Sequence, residues 1–269
     1  MEQSAQARPG PSVRTSQRVA ESIANDLRQR ILRGALDDGP LATQDALVAE
    51  YGVSGPSIRE ALRILEAEGL ITVRRGKLGG AHVHRPDWAT AAFSLAMSLQ
   101  GQGIQLSDLA ESLLVLEPLC AASCAKRPDR LETVVPALRA NLDESERAVG
   151  DGARFTAVSR DFHDMMVDHA TNQTTRLLVR STVAVWSVQE ETWASMLQRE
   201  GHYPGESEQV SSLKAHRKLV DLIEAGDVDE AERFACAHLR ATQRLVLEES
   251  GERVIDASSP AALRYFRSL

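Results

Sequence analysis

Apolar residues recur at Val19, Ile23, Leu27 and Ile31. This four-residue step predicts a helix from Gln17 to Arg33 with one buried face. Gly34 stops it, and Asp37-Asp38-Gly39-Pro40 reads as a turn. A short helix follows, with Thr43 as its N-cap, Leu47 facing inward and Gly52 at its end. A third helix spans about Ser54 to Gly69. Its stripe Ile58, Ala61, Leu62, Leu65 has the i, i+3, i+4, i+7 spacing of a buried face, and Pro56 is tolerated because it sits in the first turn. Two strand-like runs come next, Leu70–Val73 and Ala81–His84, around the basic, glycine-rich stretch from Arg74 to Gly80. Three helices and a hairpin, in that order, predict a winged helix-turn-helix.

From Asp87 onward strand signals vanish. Helical stretches are expected near 87–101, 105–126, 129–149, 151–171, 173–199, 206–225 and 227–249, separated by glycine, proline or asparagine. The fold class is therefore mainly α: a winged helix-turn-helix, then an all-α bundle of six or seven helices, large enough for its own core. The expected domains are a disordered polar arm over 1–16, a DNA-binding domain over 17–86 and a helical domain over 87–250. Residues 251–269 read as a tail with one short helix.

Charge sharpens this division. The 269 residues carry 31 Lys+Arg against 38 Asp+Glu, a net charge of −7. Residues 1–86 are nevertheless net +2 and the remainder net −9, and within 53–85 six basic side chains face three glutamates. A basic head on an acidic body suggests that only the head meets a polyanion. No apolar run is long enough to span a membrane, and the first residues lack a signal peptide's apolar core. Three cysteines suggest reduced thiols, and the expected location is cytoplasmic, with the nucleoid.

The helix-turn-helix pattern leaves Ser54, Ser57, Arg59 and Arg63 on solvent-facing or N-terminal positions of the third helix, the end that enters a major groove. Arginine there can fork onto guanine, and serine can reach a base or phosphate. Arg74, Arg75 and Lys77, around Gly76, suit a wing that meets phosphates or the minor groove. The alternative is that Arg59 and Arg63 pair with Glu66 and Glu68 on a solvated face.

The stretch from Val53 (Val-Ser-Gly-Pro-Ser-Ile-Arg-Glu-Ala-Leu-Arg-Ile-Leu-Glu-Ala-Glu-Gly-Leu-Ile), followed by Arg-Gly-Lys-Leu-Gly-Gly-Ala-x-Val83, closely resembles the GntR family of bacterial transcription factors. The helical remainder is similar to the FCD ligand-binding domain of the FadR subfamily. The resemblance implies a homodimer on a palindromic double-stranded operator, with a small-molecule effector in the helical domain that adjusts DNA affinity. Arg59 matches the recognition-helix arginine and Gly76 the glycine of the wing tip. Where the family usually has arginine after Val-Ser this chain has Gly55, and where it often has Ser-Glu-Arg this chain has Thr43-Gln44-Asp45. Operator contacts are therefore expected to lean more on Arg59 and the wing.

Ser159-Arg160-Asp161-Phe162-His163, with Asn172 beyond it, resembles the FCD Asp-x-x-Phe-His…Asn segment, and His216 and His238 resemble its second half. Spacing supports the match. His216 lies ten residues before Gly226 and His238 twelve after it. At about 15 and 18 Å from the turn, an antiparallel helix pair brings them level. His163, His216 and His238 are thus candidate ligands for a divalent metal, Zn or Ni. The family's fourth ligand, an aspartate, is Ser159 here. The alternative is a metal-free polar pocket or satisfied core histidines. The arginine usual for regulators of small organic acids is also missing; the segment at Leu113-Leu114 is apolar, which favours a lipophilic carboxylate. The expected effector residues are Leu113, Ser159, His163, Asn172, His216 and His238.

No enzyme is expected: Gly-x-Ser-x-Gly, a Walker loop, His-Glu-x-x-His and Cys-x-x-Cys are all absent, and the Cys120/Cys124 pair reads as buried and inert. The competing reading is a helical metal- or ligand-binding protein, or an enzyme with a three-histidine site, in which DNA binding is secondary.

Overall fold

The computed structural model describes residues 11–74, 79–200 and 205–268. The chain divides into two compact units, Met1–Pro86 and Asp87–Leu269.

In the first unit, α1 (Pro11–Leu32) precedes β1 (Gly39–Pro40), α2 (Gln44–Tyr51), α3 (Gly55–Ala67), β2 (Ile71–Arg74) and β3 (Gly80–Val83). The helix begins six residues before its expected start at Gln17: a proline fits a helix's first position, where its missing N–H is not needed. Residues 1–10 of the expected arm lie outside the described residues. Ile23, Leu27 and Ile31 pack against Leu47, Ile58, Ala61 and Leu65, and the sheet closes the core with Leu70, Ile71, Ala81 and Val83. The sheet is antiparallel in the order β1-β3-β2. Its β1 is a strand where a turn was expected: Gly39 pairs with Val83 and Pro40 with His82.

The second unit holds α4 (Trp88–Gly101), α5 (Leu106–Lys126), α6 (Arg130–Ala148), α7 (Gly152–Asp168), α8 (Gln173–Glu200), α9 (Glu206–Ala225), α10 (Val228–Ser250) and α11 (Pro260–Ser268). Seven of these, α4 to α10, lie within 87–250 as expected, and α11 is the short helix expected beyond residue 250. Trp186 and Trp193 belong to a core between α4, α5, α8 and α10, while Phe155, Phe162 and Met166 belong to a second core around α6, α7 and α9. Gly226 ends α9 in the left-handed conformation at φ +74°, and Asp227 caps α10 by accepting from the Glu230 amide at 3.2 Å. That junction folds α9 back onto α10.

The segment after α10 is no tail. The Leu106 amide donates to the Arg253 carbonyl at 2.9 Å, and the Ile255 amide to the Ile104 carbonyl at 3.0 Å. Ile255, Ala257 and Ala262 are almost fully buried. Isolated apolar residues that fill gaps between helices leave no period for a sequence reading to detect.

Candidate DNA-reading face and histidine centre

Thr43 caps α2 as expected, its hydroxyl accepting from the Ala46 amide at 3.3 Å. Gly52 turns the chain into α3 at φ +63°. This tight turn brings the starts of the two helices together: a Cβ on Gly55 would stand 3.3 Å from Gln44 Nε2 and 3.5 Å from Arg59 Nη1. Gln44, Gly55 and Arg59 therefore adjoin one another at the exposed end of the motif. Ser54 is exposed there as well.

Ser57 departs from the expected solvent-facing position. It is buried, with its hydroxyl 3.1 Å from that of Ser54, because the first turn of α3 tucks it beneath Ser54. Arg63 is exposed and pairs with Glu60 at 3.1 Å. The expected alternative partners are engaged elsewhere: Glu66 accepts from the Val73 amide at 3.0 Å, and Glu68 forks onto Arg28 at 2.6 and 2.7 Å. Arg59 is left exposed without an ion pair among the described residues. Arg74 is exposed at the end of β2; Arg75, Gly76 and Lys77 lie outside the described residues.

In the second unit α7, α9 and α10 bring His163, His216 and His238 together. His216 Nε2 lies 3.2 Å from His163 Nε2 and 3.0 Å from His238 Nε2. Three ring nitrogens of one type thus converge in the interior, and a single N–H on His216 could satisfy only one neighbour. Bonds of 2.0–2.1 Å to one cation would separate cis ligands by about 2.9 Å in an octahedron and about 3.4 Å in a tetrahedron. The two spacings to His216 fall within that range, and all three ligand atoms lie within 4.8 Å of one another, so the residues could together hold a divalent ion. Phe162 stacks on His216, ring centroids 4.1 Å apart and nearly parallel, and fixes its plane.

Sequence reasoning missed Glu117. It is a buried carboxylate on the apolar helix α5, and His163 Nδ1 donates to its Oε1 at 2.5 Å. That bond turns His163 Nε2 toward the other two rings, as an outer carboxylate does for a metal-bound imidazole. A lone glutamate inside an apolar stripe was the available signal.

The other expected effector residues are not all assembled there. Ser159 is half-buried one turn before His163. Leu113 is sealed in the core formed with α4 and α8. Asn172 is exposed and caps α8, accepting from the Thr175 amide at 2.9 Å, since an asparagine preceding a helix serves best as its cap. Cys120 and Cys124 are buried, and burial pushes both thiols up to about 12, which makes them poor nucleophiles.

Burial opposes charge on His163, yet the Glu117 carboxylate outweighs it and raises its pKa. Burial drives His216 well below the ordinary histidine range and His238 down to about 3, with neighbouring imidazoles adding to both. In the metal-free protein, then, the unfolded chain takes up two protons below about pH 6.5 that the folded chain refuses. Stability should fall as pH drops, with a limiting slope of about 2.7 kcal/mol per pH unit. His163 acts oppositely: its contribution is complete below about pH 6.5 and is lost as pH rises through its raised value. Urea midpoints of chelator-treated protein at pH 5 and 7 test this. Equal midpoints would contradict two buried neutral imidazoles.

A winged helix-turn-helix followed in the chain by an all-α domain with an internal histidine centre defines a DNA-binding regulator with a separate sensing domain. Comparison with known proteins agrees. Residues 19–81 match the family of bacterial regulatory proteins named gntR, and residues 108–241 match the FCD domain. The regulator YdhC of Bacillus subtilis is 24% identical over 85% of this chain and 92% of its own length. The repressor NanR of Cronobacter sakazakii is 24% identical over 83% of this chain and 84% of its own. A solved GntR structure from Streptococcus agalactiae shares the fold, with a TM-score of 0.63 at 23% identity over 84% of this chain and 99% of its own. The chain belongs to the GntR family and carries an FCD effector domain. It is a DNA-binding transcriptional regulator, and the reading in which DNA binding is secondary is not favoured. Among the described residues no helix is long and apolar enough to cross a membrane.

Proposed function

We propose that the protein is a metabolite-responsive repressor that binds a palindromic operator as a homodimer and is released when an effector occupies the FCD domain. The observation that carries this reading is the pairing of an unengaged arginine on the recognition helix with a buried convergence of three Nε2 atoms in the other unit. Arg59, with Ser54, Gln44 and Gly55 beside it, presents donors to base edges; Thr43, Arg63, Arg74, Arg75, Gly76 and Lys77 position the head against phosphates. Apolar side chains exposed on two neighbouring helices support dimerisation: Val115 at 67% and Leu119 at 43% on α5, Leu177 at 45% and Leu178 at 56% on α8.

His163, His216 and His238 would hold a divalent cation such as zinc or nickel. When bound, that cation supplies a Lewis-acid point for an oxygen of the effector. Glu117 orients His163, and Phe162 holds His216 in plane. The effector's differential affinity for the two arrangements of the dimer sets how far DNA affinity can change.

Fluorescence anisotropy on DNA from upstream of the protein's own gene tests the reading, with scrambled DNA as control. A dimer contacting 6–10 phosphates should lose roughly 10³–10⁵ in affinity between 50 and 200 mM salt, while retaining its preference for the upstream site. Equal, weak binding to both probes at both salts would contradict it.

A further inference from the structure

Arg160 lies one turn before His163 on α7, three residues away, where side chains on one helix face stand about 5–6 Å apart. Its surroundings differ from those of the arginines that fork onto a carboxylate. Arg28 forks onto Glu68 at 2.6 and 2.7 Å, and Arg127 onto Asp129 at 2.6 and 2.9 Å. Arg180, whose Nε is also sealed, still pairs with Asp164 and lies over the Trp88 ring at 4.2 Å. Arg160 instead stands between two carboxylates of α8 without a hydrogen bond to either. Its Nε is 3.6 Å from Glu190 Oε2 and its Nη1 3.7 Å from Glu191 Oε2. The Nε is cut off from water and has no partner. The side chain as a whole keeps 20% of its surface open.

A guanidinium held in place with its donors unused is matched by a planar anion that accepts two parallel N–H bonds. Glu190 also lies within electrostatic range of both His163 and Glu117, which ties Arg160 and Glu190 to the histidine centre. The sequence reading disfavoured a small acid because no guanidinium stood near Leu113; α7 supplies one from another direction.

We propose that Arg160 anchors the carboxylate of the effector, exchanging its loose contacts with Glu190 and Glu191 for a forked pair and so placing the acid beside the three-histidine centre. This rests on the reading of the FCD domain as the sensing domain.

The test uses the full-length protein with zinc added. Thermal unfolding is followed in the presence of acetate, butanoate, hexanoate and succinate, with the corresponding primary amides as uncharged counterparts. At least one acid should raise Tm where its amide does not. Arg160→Met should weaken that response by about tenfold or more. Arg160→Lys, which keeps the charge and loses the fork, should recover only part of it. Metal content and operator binding of the variants should match wild type; their loss would count against the proposed function, not against the anchor. A purely structural Arg160 would lower Tm on substitution but leave the response to acids intact, and that result overturns the proposal. So does a wild type that no acid stabilises, or one that amides stabilise equally. If the methionine variant fails to fold, an undiminished acid response in Arg160→Lys overturns it as well.

Discussion

Replacing His216 by alanine should leave the purified protein without stoichiometric metal. His216 is the candidate ligand whose Nε2 lies within hydrogen-bond distance of both other Nε2 atoms, so its loss removes the donor common to both contacts. Two imidazoles on different helices then remain, too few for the three- or four-ligand sets that hold zinc. Glu117→Gln is the graded companion. It keeps the shape but weakens the orienting bond to His163, and metal affinity should fall about 10- to 100-fold. Competition against a chromophoric chelator measures both. A His216→Ala protein that keeps one tightly held ion per chain would refute coordination by these residues. The alanine also deprives Phe162 of the ring stacked on it, so circular dichroism must first show the variant folded.

Replacing Arg59 by alanine should weaken binding to the operator by about 1–3 kcal/mol, roughly 5- to 150-fold, with little change in Tm. The small stability cost follows from its exposure and its lack of an ion pair among the described residues. Arg63→Ala is the contrast. Arg63 already pairs with Glu60 and stands 76% exposed, which suits a phosphate contact; its loss should weaken binding to operator and scrambled DNA alike. An Arg59→Ala protein that melts normally and binds its operator as wild type does would remove Arg59 from the reading of bases.

Most of the architecture was legible in the sequence for a physical reason. Gly34, Gly52, Gly103, Gly150 and Gly226 all adopt positive φ at or near helix ends, so the chain announces its own breaks. The three histidines were legible because Gly226 fixes the distance of two of them from a single turn. Other features carry no such mark. The strand β1 is a Gly-Pro pair that only its partner β3 makes extended. Glu117 looks like any glutamate until its helix is seen to be buried, and Asn172 looks like a binding residue until the start of α8 claims its side chain. Ser57 has the spacing of a groove-facing residue, yet it turns inward to Ser54. Arg160 was passed over because its value lies in the hydrogen bonds it does not make, which a sequence does not display.

The strap formed by residues 251–268 has a consequence for how the chain is made. The Gln100 side chain accepts from the Ala257 amide across 157 residues, and Ile255 fills a space between helices synthesised long before it. Contacts this distant in sequence are slow to close and form late. The DNA-binding head has no such requirement: its own core is complete by Val83. During synthesis the head can therefore fold first, as N-terminal domains generally do, while the sensing domain waits for the strap to emerge. A nascent or truncated chain would then carry a finished DNA reader joined to an unfinished sensor.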